Sequence, residues 1–299
     1  MPNWNEILDE ISICPYNNAL DHTRVKYLEL LSNKTNRNVI AYYSGWLQVS
    51  SGDTGINDND KNAFMSTIHR LDRTKGLDLI LHTPGGNIAA TESIVDYLHI
   101  MFNNDIRVIV PQIAMSAGTM ITCSAKEIIM GENSNLGPID PQYGGMPTQS
   151  VIEEFERAKE EMGESEGSRL AWREIIRQYH PTFILECEKA NKWSHAIVSN
   201  WLNTCMFSDE PSTTKETIIS NIVDTLSDHD QNKTHSRHIS KQQCKDLGLK
   251  IIDLEDDDEL QDIVLSIHHA FMHTFSGAPG VVKIVENQTG SRLIFRNPM

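Results

Sequence analysis

The stretch LDLILHTPGGNIAATESIVDYLHIMFNNDIRVIVPQIAMSAG, Leu77 to Gly118, decides how this chain folds. It opens with an apolar run, Leu77 to Leu81, and turns at Pro84-Gly85-Gly86. Ile94, Val95, Leu98, Met101 and Phe102 then recur at three- and four-residue spacing, which predicts an amphipathic helix. A second apolar run, Val108 to Val110, leads to the small residues Ala114-Met115-Ser116-Ala117-Gly118, which predict another turn and helix start. Two buried parallel strands joined by a helix make a βαβ unit, and ligands of such units sit at the carboxyl ends of the strands. Both glycine-containing turns fall there and are expected to face each other.

The chemistry follows from the residue types. Glycines at 85 and 86 allow backbone conformations closed to other residues and let a ligand approach N–H groups that can serve as oxyanion donors. Ser116 stands at the other turn, where the first N–H groups of a helix are free to point at an anion. A nucleophile on one turn and donors on the other would form an acyl-transfer site. A Gly-Gly pair or a Ser-Ala-Gly triplet alone is more often an ordinary turn. Here each follows an apolar run, with one helix between them.

Thr83-Pro84-Gly85-Gly86, Ala114-Met115-Ser116-Ala117-Gly118 and Asn135-Leu136-Gly137-Pro138-Ile139-Asp140-Pro141 together resemble the Clp-fold serine peptidases. The likeness is greatest to the serine dehydrogenase proteinase (SDH) family related to signal peptide peptidase SppA. It covers roughly Asn38 to Ile267 and is strongest up to Gly145. It implies an α/β ClpP/crotonase-like fold of βαβ units with helical N-terminal and C-terminal extensions. It also implies a serine endopeptidase without metal, nucleotide or other cofactor, acting on peptide or unfolded-protein substrates as a homo-oligomer. The expected division is a helical extension over 1–36, an α/β core over 37–145, a helical region over 146–273 that completes the core and site, and a tail over 274–299.

Composition sets limits on that reading. The 299 residues are 39% hydrophobic and carry a formal charge of −15, an acidic balance that argues against nucleic acid as a partner. Five cysteines are odd in number and form no C-x-x-C pair, which suggests reduced thiols in a cytoplasmic protein. The first residues lack a basic and apolar secretory signal, and no run of about 18 apolar residues predicts a membrane span, unlike many SppA-like relatives. Neither a Walker phosphate loop nor zinc-spaced ligands are present. The acidic Leu254 to Leu260 lacks the calcium-loop pattern and reads as a solvated helix start.

Elsewhere, Val39 to Tyr43 predicts a strand, Ser51 to Asn57 a polar loop over the site, and Asp58 to Leu71 a helix. Glu127 to Met130 predicts a short strand and Glu164 to Ser168 a flexible loop. Helices are expected over Thr182 to Lys192, from Ser194 and from Thr214, the last two with those residues as N-caps. Val281 to Phe295 predicts a β-hairpin that reaches a neighbouring subunit.

A serine hydroxyl needs an adjacent base. In ClpP a catalytic histidine stands just before a Gln-Pro pair in the segment corresponding to Asn133 to Gly145; here Ile139 and Asp140 precede Pro141, so that histidine is missing. The SppA-like relatives use a lysine held neutral by burial. Lys159 falls in line with Ile152, Phe155 and Met162 on an apolar helical stripe, and the resemblance assigns it as the base of a Ser116–Lys159 dyad. Its alternative is a lysine whose stem covers the core edge while its ammonium meets solvent or a glutamate. Lys126 is set aside as a surface residue. The resemblance gives the oxyanion donors as the N–H groups of Gly86 and Ala117, beside Gly85. His82, His235 and His238 are candidates to line the site, and His235 or His238 to replace Lys159 as base. Two rivals stay open: a Clp-fold scaffold without turnover, and a crotonase-like acyl-CoA enzyme.

Overall fold

Residues 4–49, 53–228 and 234–297 are described by a computed structural model, so Ser51 and Gly52 of the expected polar loop lie outside the described residues. Strands buried on both faces need apolar side chains throughout, and the chain supplies them in short runs. The fully buried β1 (Asn38–Ser44) and β2 (Leu77–His82) and the nearly buried β3 (Ile106–Val110) and β5 (Glu127–Met130) are such strands; the others are β4 (Ile113–Ala114), β6 (Asn135–Leu136), β7 (Gln142–Tyr143), β8 (Met146–Pro147), β9 (Ile239–Ser240), β10 (Ile251–Asp253), β11 (Val281–Asn287) and β12 (Arg292–Arg296). The α-helices are α1 (Trp4–Ile13), α2 (Ala19–Thr35), α3 (Asn59–Ile68), α4 (Ile88–Phe102), α5 (Ala117–Cys123), α6 (Thr148–Glu164), α7 (Glu166–Ile176), α8 (Phe183–Trp201), α9 (Ser212–Ser227), α10 (Lys241–Leu247) and α11 (Asp258–Gly277).

Among the described residues the main sheet runs β10-β5-β3-β2-β1-β11-β12. Its first five strands are parallel, and β11 joins antiparallel to β1, so the expected C-terminal hairpin completes the chain's own sheet. This is a mixed α/β fold around a mostly parallel sheet. Alternation along the strands sends Ile40, Tyr42, Leu79 and Leu81 to one face, against α3, α4 and α5, with α8 and α9 beyond. Val39, Ala41, Tyr43 and Ile80 go to the other, against Leu28 and Leu31 of α2 and the apolar side of α11. Each fully buried Val, Leu or Ile among them contributes about 1.5–3 kcal/mol relative to exposure, so both helical layers are held by the central strands.

Several local expectations are corrected by tertiary contacts. Ser194 lies inside α8 instead of capping a new helix, because its hydroxyl donates to the Ile139 carbonyl at 3.1 Å. Thr214 lies within α9, which begins at Ser212. The expected loop over Glu164 to Ser168 is a tight junction between α6 and α7, where the Ser165 hydroxyl accepts from the Ser168 N–H and caps α7. The acidic stretch from Leu254 does lead into a helix, with Asp257 capping α11. Among the described residues no helix is long and apolar enough to cross a membrane.

The α11 layer holds an unusual set of imidazoles. His82, at the end of β2, is fully buried among Tyr43, Trp46 and His268, on the face opposite α4 and α5. Burial pushes His268 down to about 3, and desolvation with a neighbouring imidazole lowers His82 and His269 as well. These groups stay neutral in the native state while their unfolded counterparts bind a proton below about pH 6.5. For His268 the contribution is therefore full above about pH 6.5 and falls as pH drops towards about 3, by ~1.4 kcal/mol per pH unit, and His82 and His269 act in the same direction. Unfolding midpoints measured between about pH 7.5 and 4.5 should show this decline, and His268→Gln should flatten it by about one proton. A variant with an unchanged slope would remove His268 from the account.

Candidate active site

The two turns of the βαβ unit meet because β2 and β3 are parallel and in register, with Leu79 opposite Val108. Past the strands, Thr83 forms a bridge to Ala114: the Thr83 N–H donates to the Ile113 carbonyl at 3.2 Å, and the Met115 N–H donates to the Thr83 carbonyl at 3.0 Å. A Cβ built on Gly85 would lie 2.8 Å from Ser116 Cβ, so only glycine lets the turns touch. Gly85 adopts φ +98°, its N–H donates to Thr83 Oγ1 at 3.2 Å and its carbonyl accepts from the Ile56 N–H at 2.8 Å. Neither the Gly86 N–H nor the Ala117 N–H takes part in those bonds.

Ser116 itself sits at φ 53°, ψ −116°, a region that residues with a Cβ seldom occupy. It projects the serine from the junction of β4 and α5, and its hydroxyl is not spent on capping α5. Ser116 lines a cleft of about 410 Å³ together with Gly86, Met120, Pro141, Tyr143 and Trp193. Burial pushes the Cys123 thiol up to about 12, which leaves this cysteine of α5 an inert core residue.

The segment after β5 closes the cleft. Gly137 packs against Met115, and its N–H donates to Thr119 Oγ1 at 3.0 Å, which fixes the loop onto α5. β6, just before it, pairs with β4 on one side and with β9 on the other. That small sheet carries residues near 239 to the loop at 135–141. There His235 Nδ1 lies 2.7 Å from Asp140 Oδ1, in a pair whose carboxylate is almost wholly buried and whose imidazole is partly open. Gln142 Nε2 donates to the other Asp140 oxygen at 3.0 Å. A carboxylate bonded at Nδ1 favours the tautomer that leaves Nε2 as an acceptor.

Asp140 and His235 are not themselves among the residues lining the cleft; Pro141, next to Asp140, and Gln142, bonded to it, are. Lys159, His238 and His82 are absent from that lining too. Lys159, expected on a core-facing stripe, is turned to solvent: its side chain is 67% exposed and pairs with Glu156. The reason is the rotation of α6, which buries Val151 and Ala158 and leaves the Lys159 position on the rim of a separate hollow of about 310 Å³ with Met162 and Tyr179. His238 is exposed. His82 belongs to the α11 side of the sheet and is not among the residues lining the cleft. Sequence reasoning passed over Asp140, whose one available signal was its place directly before Pro141, one residue after the position where ClpP carries histidine, and over Trp193 and Tyr143, which nothing in the local pattern marks.

The Ser116 backbone conformation costs about 1–3 kcal/mol for a residue with a Cβ and little for glycine. Ser116→Gly is therefore expected to unfold at higher temperature and denaturant than Ser116→Ala, both lacking the nucleophile. Equal stabilities would show that the turn is not strained.

The family described as ClpP-like SDH-type serine proteinase matches residues 16–178, more than half of the chain. Two curated relatives come from Methanocaldococcus jannaschii, both named as uncharacterized proteins. MJ0137 is 40% identical over 144 residues, 46% of this chain and 49% of the relative. MJ1495 is 37% identical over 109 residues, 36% of this chain and 37% of the relative. The chain thus spans about half or less of the length of these relatives. The extent of the family match, over the segment that carries both turns and Ser116, means that this chain belongs to the ClpP-like SDH-type serine proteinases.

Proposed function

We propose that the protein is a serine peptidase in which Ser116 attacks the peptide carbonyl and His235 is the base. The Ser116 proton passes to His235 Nε2, Asp140 holds the imidazole at Nδ1 and stabilises its charged form, and the N–H groups of Gly86 and Ala117 receive the oxyanion. The imidazolium then returns the proton to the leaving amine, and water repeats the sequence on the acyl-enzyme. The observation that carries this choice of base is the 2.7 Å contact between His235 and the buried Asp140, on the loop whose Pro141 walls the Ser116 cleft. Lys159 is exposed, paired with Glu156 and absent from the residues that line the Ser116 cleft. His235 falls outside the family-matched segment, so what supports its role is its pairing with Asp140.

The proposal extends to peptide or unfolded-protein substrates cleaved internally without ATP, and to a cytoplasmic homo-oligomer. Five unpaired thiols support a reducing compartment. The crotonase-like reading is left to competition by an acyl-CoA thioester in the same assay.

Labelling by a fluorophosphonate probe tests the assignment. Ser116→Ala and His235→Ala should abolish labelling, Asp140→Asn should slow it by about 10²-fold or more, and Lys159→Ala should leave it near the parent rate. Labelling that survives His235→Ala and needs Lys159 would restore the dyad. A parent protein that never labels would favour the scaffold.

A further inference from the structure

Behind the glycine turn lies a buried ion pair that the proposed chemistry does not use. Lys283 of β11 and Asp60 of α3 are both fully buried, with Lys283 Nζ 2.9 Å from Asp60 Oδ1 and 3.0 Å from Oδ2. The ammonium also donates to the Gly55 carbonyl at 2.8 Å and lies over the Phe295 ring. Asp60 Oδ2 further accepts from the Tyr42 hydroxyl and the Asn57 N–H, each at 2.9 Å. Burial and the Asp60 carboxylate hold the Tyr42 phenol well above its ordinary range, so it remains a donor.

Two of these bonds, from Lys283 to the Gly55 carbonyl and from the Asn57 N–H to Asp60, tie the ion pair to Gly55 to Asn57, and that loop grips the turn. The Ile56 N–H donates to the Gly85 carbonyl at 2.8 Å, and the Asn87 N–H donates to the Ile56 carbonyl at 2.9 Å. A Cβ on Gly86 would lie 2.2 Å from Ile56 N, so the two backbones are in direct contact. The Gly85 carbonyl and the Gly86 N–H belong to one planar trans peptide and point in opposite directions. Holding that carbonyl towards Ile56 therefore aims the Gly86 N–H away from the loop, on the side of the cleft that Gly86 lines with Ser116.

We propose that Lys283 and Asp60 are positioning residues for the oxyanion turn: their ion pair clamps Gly55 to Asn57, and the clamp fixes the direction of the Gly85–Gly86 peptide. The inference rests on the peptidase reading for its kinetic consequence but not for its structural one. A buried ion pair contributes little net stability compared with apolar residues of the same volume, which fits a role in orientation.

The test uses the full chain with Lys283→Met, Asp60→Asn and both together. Crystal structures or Gly86 amide resonances read the peptide directly, whether or not the protein turns over substrate. The expected result is loss of the Ile56–Gly85 bond and a reoriented Gly86 N–H; an unmoved peptide would overturn the proposal. With turnover, kcat and affinity for a peptide boronate should fall by about 10²-fold, the effect of one lost oxyanion donor, while KM changes less than about threefold. A fall in kcat matched by the fraction of unfolded protein, or a loss confined to KM, would also overturn it. Absence of probe labelling in the parent would instead count against the peptidase reading and leave the structural comparison to decide the clamp.

Discussion

The backbone of Gly85 lies against Ser116 so closely that no side chain fits between them, and the positions of the nucleophile and the oxyanion turn both follow from that contact. It requires parallel, in-register β2 and β3, a bridge from Thr83 to Ala114, and an Ser116 backbone held in a costly conformation. Strain of this kind persists only where surrounding structure over-determines it. Here the determination comes from layers of helices on both faces of the sheet and from the Gly55 to Asn57 loop behind the turn.

The βαβ unit is legible in the sequence because its information is local. Strands buried on both faces read as continuous apolar runs, and the glycines mark backbone conformations that only glycine adopts easily. Glu127 to Met130 is readable on the same grounds, and the final hairpin from the turn residues Asn287 to Gly290 between two short runs. The junction at Ser165 and the unbroken α8 are not, since each depends on where a hydroxyl finds its partner. Ser194 looks like a cap in a window of ten residues, yet its partner carbonyl belongs to Ile139.

The base shows the same limit more sharply. Lys159 sits on a plausible apolar stripe, but a stripe defined by three spacings fixes the helix rotation only to within one position, and Val151 and Ala158 take the buried face. The pairing of Asp140 with His235 spans 95 residues and depends on β6 joining β9, two-residue strands with no period to detect. The imidazoles around His82 are a further case: the strand end is predictable, but the face it presents comes from parity with Ile80, which puts it against α11.

The long reach of the Lys283–Asp60 pair has a consequence for the order of events during synthesis. The two residues are 223 positions apart, and β1 gains its partner β11 only when the last part of the described chain has been made. A nascent chain holding Ser116 and both glycine turns would still lack the clamp. On the proposed reading, the hydrolase is then safe while it emerges among other unfolded polypeptides, and acquires its full power only when its sheet is closed. Contacts of such separation form late because the loop-closure entropy must be overcome first, so the lock opens with folding itself.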